Sequence, residues 1–212
     1  MRRLAELDAV TLDANGTLIR LVDPVPKLDR MLRERGIERS PDEIRRAFEA
    51  EGVVYATRSV EAHDPAAFDA VQRECTGVFL GELGADGLGA AEFAPSYVSA
   101  MQFEVIPGVH ESLRQLARRG LALAVVANFD LTLHERLEEL GLASAFSTIV
   151  TPADAGAGKP DPLIFELALE RLKVSPARAL HIGDGRSDEE GARAAGIEFA
   201  WAPIETALES RV

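Results

Sequence analysis

The chain has 212 residues and a mass of 22.9 kDa, which allows one large domain or one domain with a small insert. Its single cysteine excludes a disulfide within the chain, and the net charge of −12 disfavours general binding of nucleic acid or of an anionic membrane surface. No apolar run approaches the roughly 18 residues of a membrane span, and Glu6 and Asp8 interrupt the first apolar stretch, so we expect a cytoplasmic protein.

The first predicted element is a short buried strand at residues 7–12 (LDAVTL), followed by a tight Asn15-Gly16 turn. From about residue 22 to residue 103 the pattern is helical. One helix is expected to begin at Ser40 with a capping box, another at Asp64-Pro65, and a third to cover residues 90–103. The Gly- and Ala-rich residues 81–94 indicate a loop between helices.

After Pro107-Gly108, short apolar strands alternate with amphipathic helices. The predicted helices cover residues 109–119, 132–140, 162–173 and 188–195, and the predicted strands cover residues 121–126, 147–150, 179–183 and 197–201. This alternation predicts an α/β fold, a Rossmann-like parallel sheet with helices on both faces. We expect residues 1–19 and 104–212 to form this core, and residues 20–103 to form an all-helical domain inserted after the first strand.

Polar side chains follow each of the first four strands of the predicted sheet. They are Asp13, Asn15 and Thr17 after the first strand, Asn128 and Asp130 after the second, Thr151, Asp154 and Lys159 after the third, and Asp184 and Asp188 after the fourth. Ligands of open parallel sheets bind beyond the carboxyl ends of the strands. Three of these carboxylates, those of Asp13, Asp184 and Asp188, should therefore meet there together with Lys159. Carboxylates that close repel one another unless a cation neutralises them, and hard oxygen ligands suit Mg²⁺ with a substrate phosphate oxygen.

Four segments, LDANGTL, VVANFD, GKPDPLIFELAL and GDGRSD followed by GARAAG, resemble in order the motifs of the haloacid-dehalogenase-like (HAD) hydrolases over nearly the whole chain. The resemblance implies a phosphatase-like hydrolase whose residues 20–103 form a helical cap. It also implies that Asp13 is the nucleophile and forms an aspartyl-phosphate, with Lys159 as a second catalytic and phosphate-binding residue.

The same resemblance implies the ligand sets. Mg²⁺ would be held by Asp13, the backbone carbonyl of Asn15, Asp184 and Asp188. Phosphate would be held by Lys159 together with Asn15, Gly16, Thr17, Ala127 and Asn128. The expected partner is a small phosphorylated molecule, and the chain is expected to be a monomer or a homodimer.

Two residues depart from the family pattern. Phosphatases of this family carry a second aspartate two residues after the nucleophile as general acid and base, and here that residue is Asn15, whose amide cannot exchange a proton at neutral pH. The second motif usually supplies a hydroxyl, and here Ala127 supplies none. Both departures predict attenuated turnover and leave the fold prediction unchanged.

Three other readings of the sequence remain open. A metal-free haloacid dehalogenase would also lack the second aspartate, but it would not need Asp184 and Asp188. A phosphonatase would need a cap lysine, for which Lys27, beside Pro26, is the only candidate. A catalytically impaired protein that binds a phosphorylated ligand or a partner would explain both Asn15 and Ala127.

For the other residues that could carry a function, the sequence favours structural roles. His181 lies inside a predicted buried strand and is expected to be packed, and Asn128 is alternatively a helix cap. Cys75 lies on a helix near Phe79 and is expected to be buried. The arginines of the insert are interleaved with acids and predict a solvated helical face; they are Arg33, Arg35, Arg39, Arg45 and Arg46.

Overall fold

The computed structural model describes residues 2–85, 87–209 and 211, so Asp86 of the predicted 81–94 loop lies outside the described residues. The strands are β1 (Ala9–Leu12), β2 (Ile19–Leu21), β3 (Phe103–Val105), β4 (Ala122–Val126), β5 (Thr148–Val150), β6 (Ala179–Gly183) and β7 (Glu198–Trp201). The helices are α1 (Val25–Arg33), α2 (Pro41–Arg58), α3 (Pro65–Glu82), α4 (Ala90–Ala100), α5 (Val109–Arg118), α6 (Leu133–Glu139), α7 (Pro152–Ala155), α8 (Leu163–Leu172), α9 (Arg186–Ala194) and α10 (Ile204–Glu209).

The chain divides into two compact units, one comprising Met1–Arg20 with Glu104–Val212 and the other Leu21–Phe103. The first unit contains a parallel five-stranded sheet in the order β5-β4-β1-β6-β7. The chain continues from β1 to β4 on one side and reaches β6 on the other, so β1 lies at the point where the strand order reverses. Ligands of such sheets bind beyond the strand ends at this point.

Helices cover both faces of the sheet, as the apolar strands require. Side chains of alternate strand residues point to opposite faces, yet all of β1 and nearly all of β4 is buried. On one face, Ile164, Phe165 and Leu169 of α8 and Ala192 of α9 pack against the sheet. Helices α5 and α10 contact each other and the sheet at β4 and β7. The predicted α/β fold with a parallel sheet is therefore confirmed.

Several predicted boundaries are wrong. The first strand begins at Ala9, because residues Leu4–Glu6 form a turn of 3-10 helix. The helix expected at 90–103 ends at Ala100, where Met101 leaves helical backbone geometry, and β3 follows and pairs with β2. The predicted 81–94 loop is shorter than expected, because α3 continues to Glu82 and the Ala-rich segment that follows Gly89 is already helical.

The second unit consists of four helices, α1 to α4, around their own apolar core, within the described part of residues 21–103. Phe79 of α3 contacts Phe93 and Tyr97 of α4, with ring centroids 6.5 and 4.9 Å apart. The predicted capping box of α2 is present: the Glu43 N–H donates to Ser40 Oγ, and the Ser40 N–H donates to the Glu43 carboxylate. Among the described residues, no helix has the length and the apolar character needed to cross a bilayer.

Two arginines of this unit do more than cover a solvated face. Arg35 donates to Ser96 Oγ at 3.0 Å and lies 5.0 Å over the Phe93 ring. Arg39 donates to the carbonyl oxygens of Leu83 and Gly84, which follow α3. Both guanidinium groups thus tie the first half of the helical unit to its second half.

A carboxyl group is buried inside the helical unit. Glu51 of α2 is 5% exposed, and its neighbours include Cys75 and Tyr97. Burial raises the pKa of Glu51, and these two neighbours offset the rise only in part. Burial and the nearby Glu51 carboxyl raise the pKa of the Cys75 thiol to about 12, so this cysteine is a packed residue and a poor nucleophile.

We expect Glu51→Gln to stabilise the protein at neutral and alkaline pH. The folded-state pKa of Glu51 lies above its ordinary value of 4.5, so its contribution to stability is complete below that value and is lost as the pH rises through the folded-state pKa. The neutral amide of glutamine does not ionise, so the variant loses no stability as the pH rises through that range. A gain of about 1 kcal/mol at pH 8 would raise Tm by about 2–4 °C, with no gain at pH 4. Thermal unfolding across pH measures this, with exposed Glu49→Gln on the same helix as control; parallel pH profiles for Glu51→Gln and the native chain would contradict it.

Candidate active site

Three carboxylates meet at the carboxyl end of the sheet. Asp13 directly follows β1, Asp184 directly follows β6, and Asp188 lies in the first turn of α9. Strands β1 and β6 are parallel neighbours, with Leu12 opposite Ile182, so both chains leave the sheet at the same edge. One oxygen from each carboxylate lies within 4.8 Å of the others. The structure thus brings together the three acids that the sequence predicted to converge.

Lys159 lies among these acids. Its side chain is 3% exposed, and Nζ donates to Asp13 Oδ1 and to Asp188 Oδ1, each at 2.5 Å. One buried ammonium group therefore bridges two of the three carboxylates. Since unpaired charges are costly to bury, the Lys159 ammonium group offsets the cost of burying the Asp13 and Asp188 carboxylates.

The pKa values of this cluster follow from burial and mutual attraction. Burial raises the pKa of Asp13, and the Lys159 charge offsets part of the rise. Burial by itself would lower the pKa of Lys159, but attraction to Asp13 and Asp188 raises it above its ordinary value. Burial also opposes ionisation of Asp188, yet its hydrogen bond with His181 and the Lys159 charge outweigh burial and bring its pKa to about 2. At neutral pH, Lys159 is therefore charged and Asp188 is ionised.

Asn128 fixes the backbone of Lys159. Its Nδ2 donates to the Lys159 carbonyl oxygen at 2.8 Å, and its Oδ1 accepts the Lys159 N–H at 2.6 Å. Both ends of the amide are thus occupied by one residue 31 positions away, and Asn128 does not cap α6, which Thr132 precedes. The Ala127 N–H donates to the Val150 carbonyl oxygen at 3.2 Å. Phosphate binding by Ala127 and Asn128 stays a prediction, and both groups already have protein partners.

The loop after β1 turns sharply beside Asp184. The Gly16 N–H donates to the Ile19 carbonyl oxygen at 2.8 Å, and Gly16 has a φ of +90°. A Cβ atom on Gly16 would lie 2.0 Å from Asp184 Oδ2, so only glycine allows the loop to approach this carboxylate. Asn15 is exposed, whereas Thr17 is 2% exposed and its hydroxyl has no hydrogen-bond partner among the described residues. Such an orphaned polar group is unusual inside a protein.

Gly16→Ala is expected to displace Asp184 and, at the predicted Mg²⁺ site, to weaken metal binding about 10-fold or more, as loss of ligand geometry does at metal sites. It also adds backbone strain of about 1–2 kcal/mol, because the position has positive φ. Gly141→Ala separates the two effects, since Gly141 has a φ of +69° but open space around its Cβ position. Calorimetric Mg²⁺ titration should detect weakened binding in Gly16→Ala alone. Equal Mg²⁺ affinities in the two variants would contradict the prediction that the new Cβ displaces Asp184.

The donor set fits a divalent cation that prefers oxygen ligands. Asp13, Asp184 and Asp188 supply carboxylate oxygens only, and the bare backbone of Gly16 leaves room for Asp184 to lie against the loop. Mg²⁺ is bound in proteins by such small sets of carboxylates and keeps several waters. The predicted metal ligand at the Asn15 carbonyl stays a prediction.

Two other acids that follow strands have structural partners outside this cluster. Asp154 accepts hydrogen bonds from the Thr151 N–H and from Arg171, and so anchors α7. Asp130 accepts from the N–H and hydroxyl of Thr132 at the entrance to α6. In the helical unit, the Lys27 amine donates to the Ser99 carbonyl oxygen. The lysine that a phosphonatase would need therefore has a hydrogen-bond partner within its own unit.

Comparisons with known proteins agree with this architecture. Residues 7–196 match the family described as haloacid dehalogenase-like hydrolase. A haloacid dehalogenase-like hydrolase domain-containing protein 3 from Bos taurus is 42% identical over 109 residues, which cover 51% of this chain and 43% of the bovine protein. A phosphoserine phosphatase from Thermus thermophilus is 38% identical over 102 residues, 47% of this chain and 41% of that protein. The crystal structure of a HAD phosphatase from Thermococcus onnurineus has a TM-score of 0.61 and 28% identity, and covers 92% of this chain and 86% of that chain.

The chain belongs to the haloacid dehalogenase-like hydrolases, because the family match extends over most of its length. The matched segments span less than half the length of the two curated relatives named above. The resemblance inferred from the four motifs is therefore confirmed at the level of family and fold.

Proposed function

We propose that the chain is a Mg²⁺-dependent phosphatase of small phosphorylated metabolites, attenuated by Asn15, in which Asp13 is the nucleophile. The observation that carries this proposal is the Lys159 ammonium group, 2.5 Å from Asp13 and from Asp188, beside a third carboxylate on Asp184. A buried lysine among acids is suited to a phosphoryl group, whose transfer depends mainly on positioning and charge neutralisation. The likeness to a phosphoserine phosphatase supports a phosphate ester as substrate.

In the proposed reaction, a carboxylate oxygen of Asp13 attacks phosphorus, and the bond from phosphorus to the leaving-group oxygen breaks with its electron pair on that oxygen. Water then attacks the phosphorus of the aspartyl-phosphate and gives up a proton to solvent, the bond to Asp13 breaks with its electron pair on the Asp13 carboxylate, and inorganic phosphate leaves. Lys159 neutralises charge on the phosphoryl oxygens, and Asn128 holds the backbone from which Lys159 projects. When bound, Mg²⁺ supplies further neutralisation of the phosphoryl charge.

Asn15 limits both steps of this reaction. Its amide can neither give a proton to the departing oxygen nor take one from the attacking water. The leaving group must then take its proton from solvent, and the loss of general acid–base help costs about 10²–10⁴-fold in rate. Slow turnover, rather than none, is the result we expect.

The test measures phosphate release from a panel of phosphorylated metabolites by the purified chain with Mg²⁺, with Asp13→Asn as control. Release by the native chain, a phosphorylated Asp13 in the intact mass, and loss of both in Asp13→Asn would support the proposal. If the native chain releases nothing while Asn15→Asp does, the proposal of a native phosphatase fails and the assignment of the site stands.

A haloacid dehalogenase is a second candidate, and the absence of a carboxyl group at Asn15 favours it. Such an enzyme would form an ester on Asp13 and would have no use for a second and third carboxylate beside Lys159. Halide release from a 2-haloacid in the presence of a chelator would establish this activity in place of the phosphatase. The non-catalytic alternative, favoured by Asn15 with Ala127, predicts thermal stabilisation by a phosphorylated metabolite without turnover.

A further inference from the structure

Among the described residues of the parallel sheet, His181 is the one histidine, and its imidazole contacts Asp188 of the candidate active site. It lies in β6 opposite Thr11 of β1 in the parallel register, and both side chains are 0% exposed. His181 Nδ1 lies 2.9 Å from Thr11 Oγ1, and Nε2 lies 3.0 Å from Asp188 Oδ1. A row of hydrogen bonds therefore runs from the middle of the sheet to one of the three clustered carboxylates.

The chemistry of the partners determines which atoms carry hydrogen. Asp188 Oδ1 also accepts a hydrogen bond from Lys159 Nζ, and a carboxylate oxygen offers only lone pairs, so His181 Nε2 donates to it. With hydrogen on Nε2, Nδ1 of the neutral imidazole carries a lone pair, and the Thr11 hydroxyl, 2.9 Å away, can donate to it.

The imidazole ring has little freedom to turn away. Phe165 of α8 meets it edge to face, with centroids 4.9 Å apart, and the Phe199 ring of β7 lies 6.2 Å away on a tilted plane. The Gly185 N–H donates to the other oxygen of Asp188 at 3.0 Å. Asp188 is therefore held by donors at both oxygens, and its Oδ1 is one of the two carboxylate oxygens to which Lys159 Nζ donates.

We propose that His181 and Thr11 are positioning residues that orient Asp188, and through Asp188 the Lys159 ammonium group, for metal binding and phosphoryl transfer. This inference rests on the proposed function for its metal and its reaction. His181 is packed, as its place in a buried strand predicts, and the geometry assigns it a hydrogen-bonding role in addition. Partners that orient the ligands of a metal site typically change metal affinity or activity 10–100-fold when they are removed.

The test compares His181→Leu with His181→Gln, since the glutamine amide can still donate toward Asp188 and leucine cannot. We expect His181→Leu to weaken Mg²⁺ binding about 10–100-fold by calorimetric titration and to lower kcat more than it raises KM. His181→Gln should recover most of the Mg²⁺ affinity and most of kcat. In the native chain, nitrogen NMR shifts of the His181 ring should show hydrogen on Nε2 and a free lone pair on Nδ1.

A second pair of variants keeps the inference testable if His181→Leu does not fold. Thr11→Val conserves shape and removes the hydroxyl donor, and Thr11→Ser restores it, so Thr11→Val should weaken Mg²⁺ binding and Thr11→Ser should not. Equal Mg²⁺ affinity in the native chain, His181→Leu and Thr11→Val would overturn the inference and leave the phosphatase proposal intact. A native chain that neither binds Mg²⁺ nor releases phosphate would instead overturn the proposed function, and this inference with it.

Discussion

Asn15→Asp is expected to raise Mg²⁺-dependent phosphate release about 10²–10⁴-fold, the usual contribution of general acid–base catalysis. Asn15 is exposed and lies two residues after the buried Asp13, so a carboxyl group there needs no repacking of the core. Steady-state kcat on the same phosphorylated metabolite, native chain against variant, measures the gain. Asn15→Ser, which adds a hydroxyl but no carboxyl group, should show little of it.

The size of this gain should depend on the leaving group. An alkyl phosphate releases a strongly basic oxygen that needs a proton, whereas an aryl phosphate with an electron-withdrawing ring releases a stable anion. The native chain should therefore favour aryl phosphates, and Asn15→Asp should narrow the difference. An equal gain on both kinds of substrate would show that position 15 acts through something other than proton transfer.

Lys159→Met is expected to destabilise the metal-free protein by about 3–5 kcal/mol, the usual cost of removing one partner from a buried ion pair. Lys159 bridges Asp13 and Asp188, so its loss leaves two buried carboxylates without a counter-charge. For a chain of this size the loss corresponds to a fall in Tm of about 6–20 °C. Activity should be lost as well, since no other ammonium group of the described residues bonds to Asp13 in this structure.

Mg²⁺ should reverse part of that destabilisation, because a cation that binds only the folded state adds to its stability. The rise in Tm on adding Mg²⁺ should therefore be larger for Lys159→Met than for the native chain. Exposed Lys173→Met is the matched control, and adding Asp188→Asn to Lys159→Met should recover stability without metal. An unchanged Tm in Lys159→Met would mean that the ammonium group does not balance the carboxylates.

Several parts of the fold follow from local sequence patterns alone. The apolar strands that alternate with helices after residue 107 predicted the parallel sheet, and the Ser40–Glu43 capping box predicted the start of α2. These features depend on residues a few positions apart, so they are readable without the tertiary structure. Element boundaries at β3 and around α4 were predicted less well, because strand pairing between β2 and β3 overrides the helical pattern near Phe103.

The amino-acid sequence by itself determined the family, the sheet and the set of acids that converge on one edge. Each motif and each strand pattern is readable from neighbouring residues, and the carboxyl ends of parallel strands share one edge. Only the tertiary structure showed that Lys159 bridges Asp13 and Asp188, that Asn128 holds the Lys159 backbone, and that His181 bonds to Asp188. The physical reason is distance along the chain. Thr11 and His181 are 170 residues apart, and they become hydrogen-bond partners only because β1 and β6 are neighbours in the sheet.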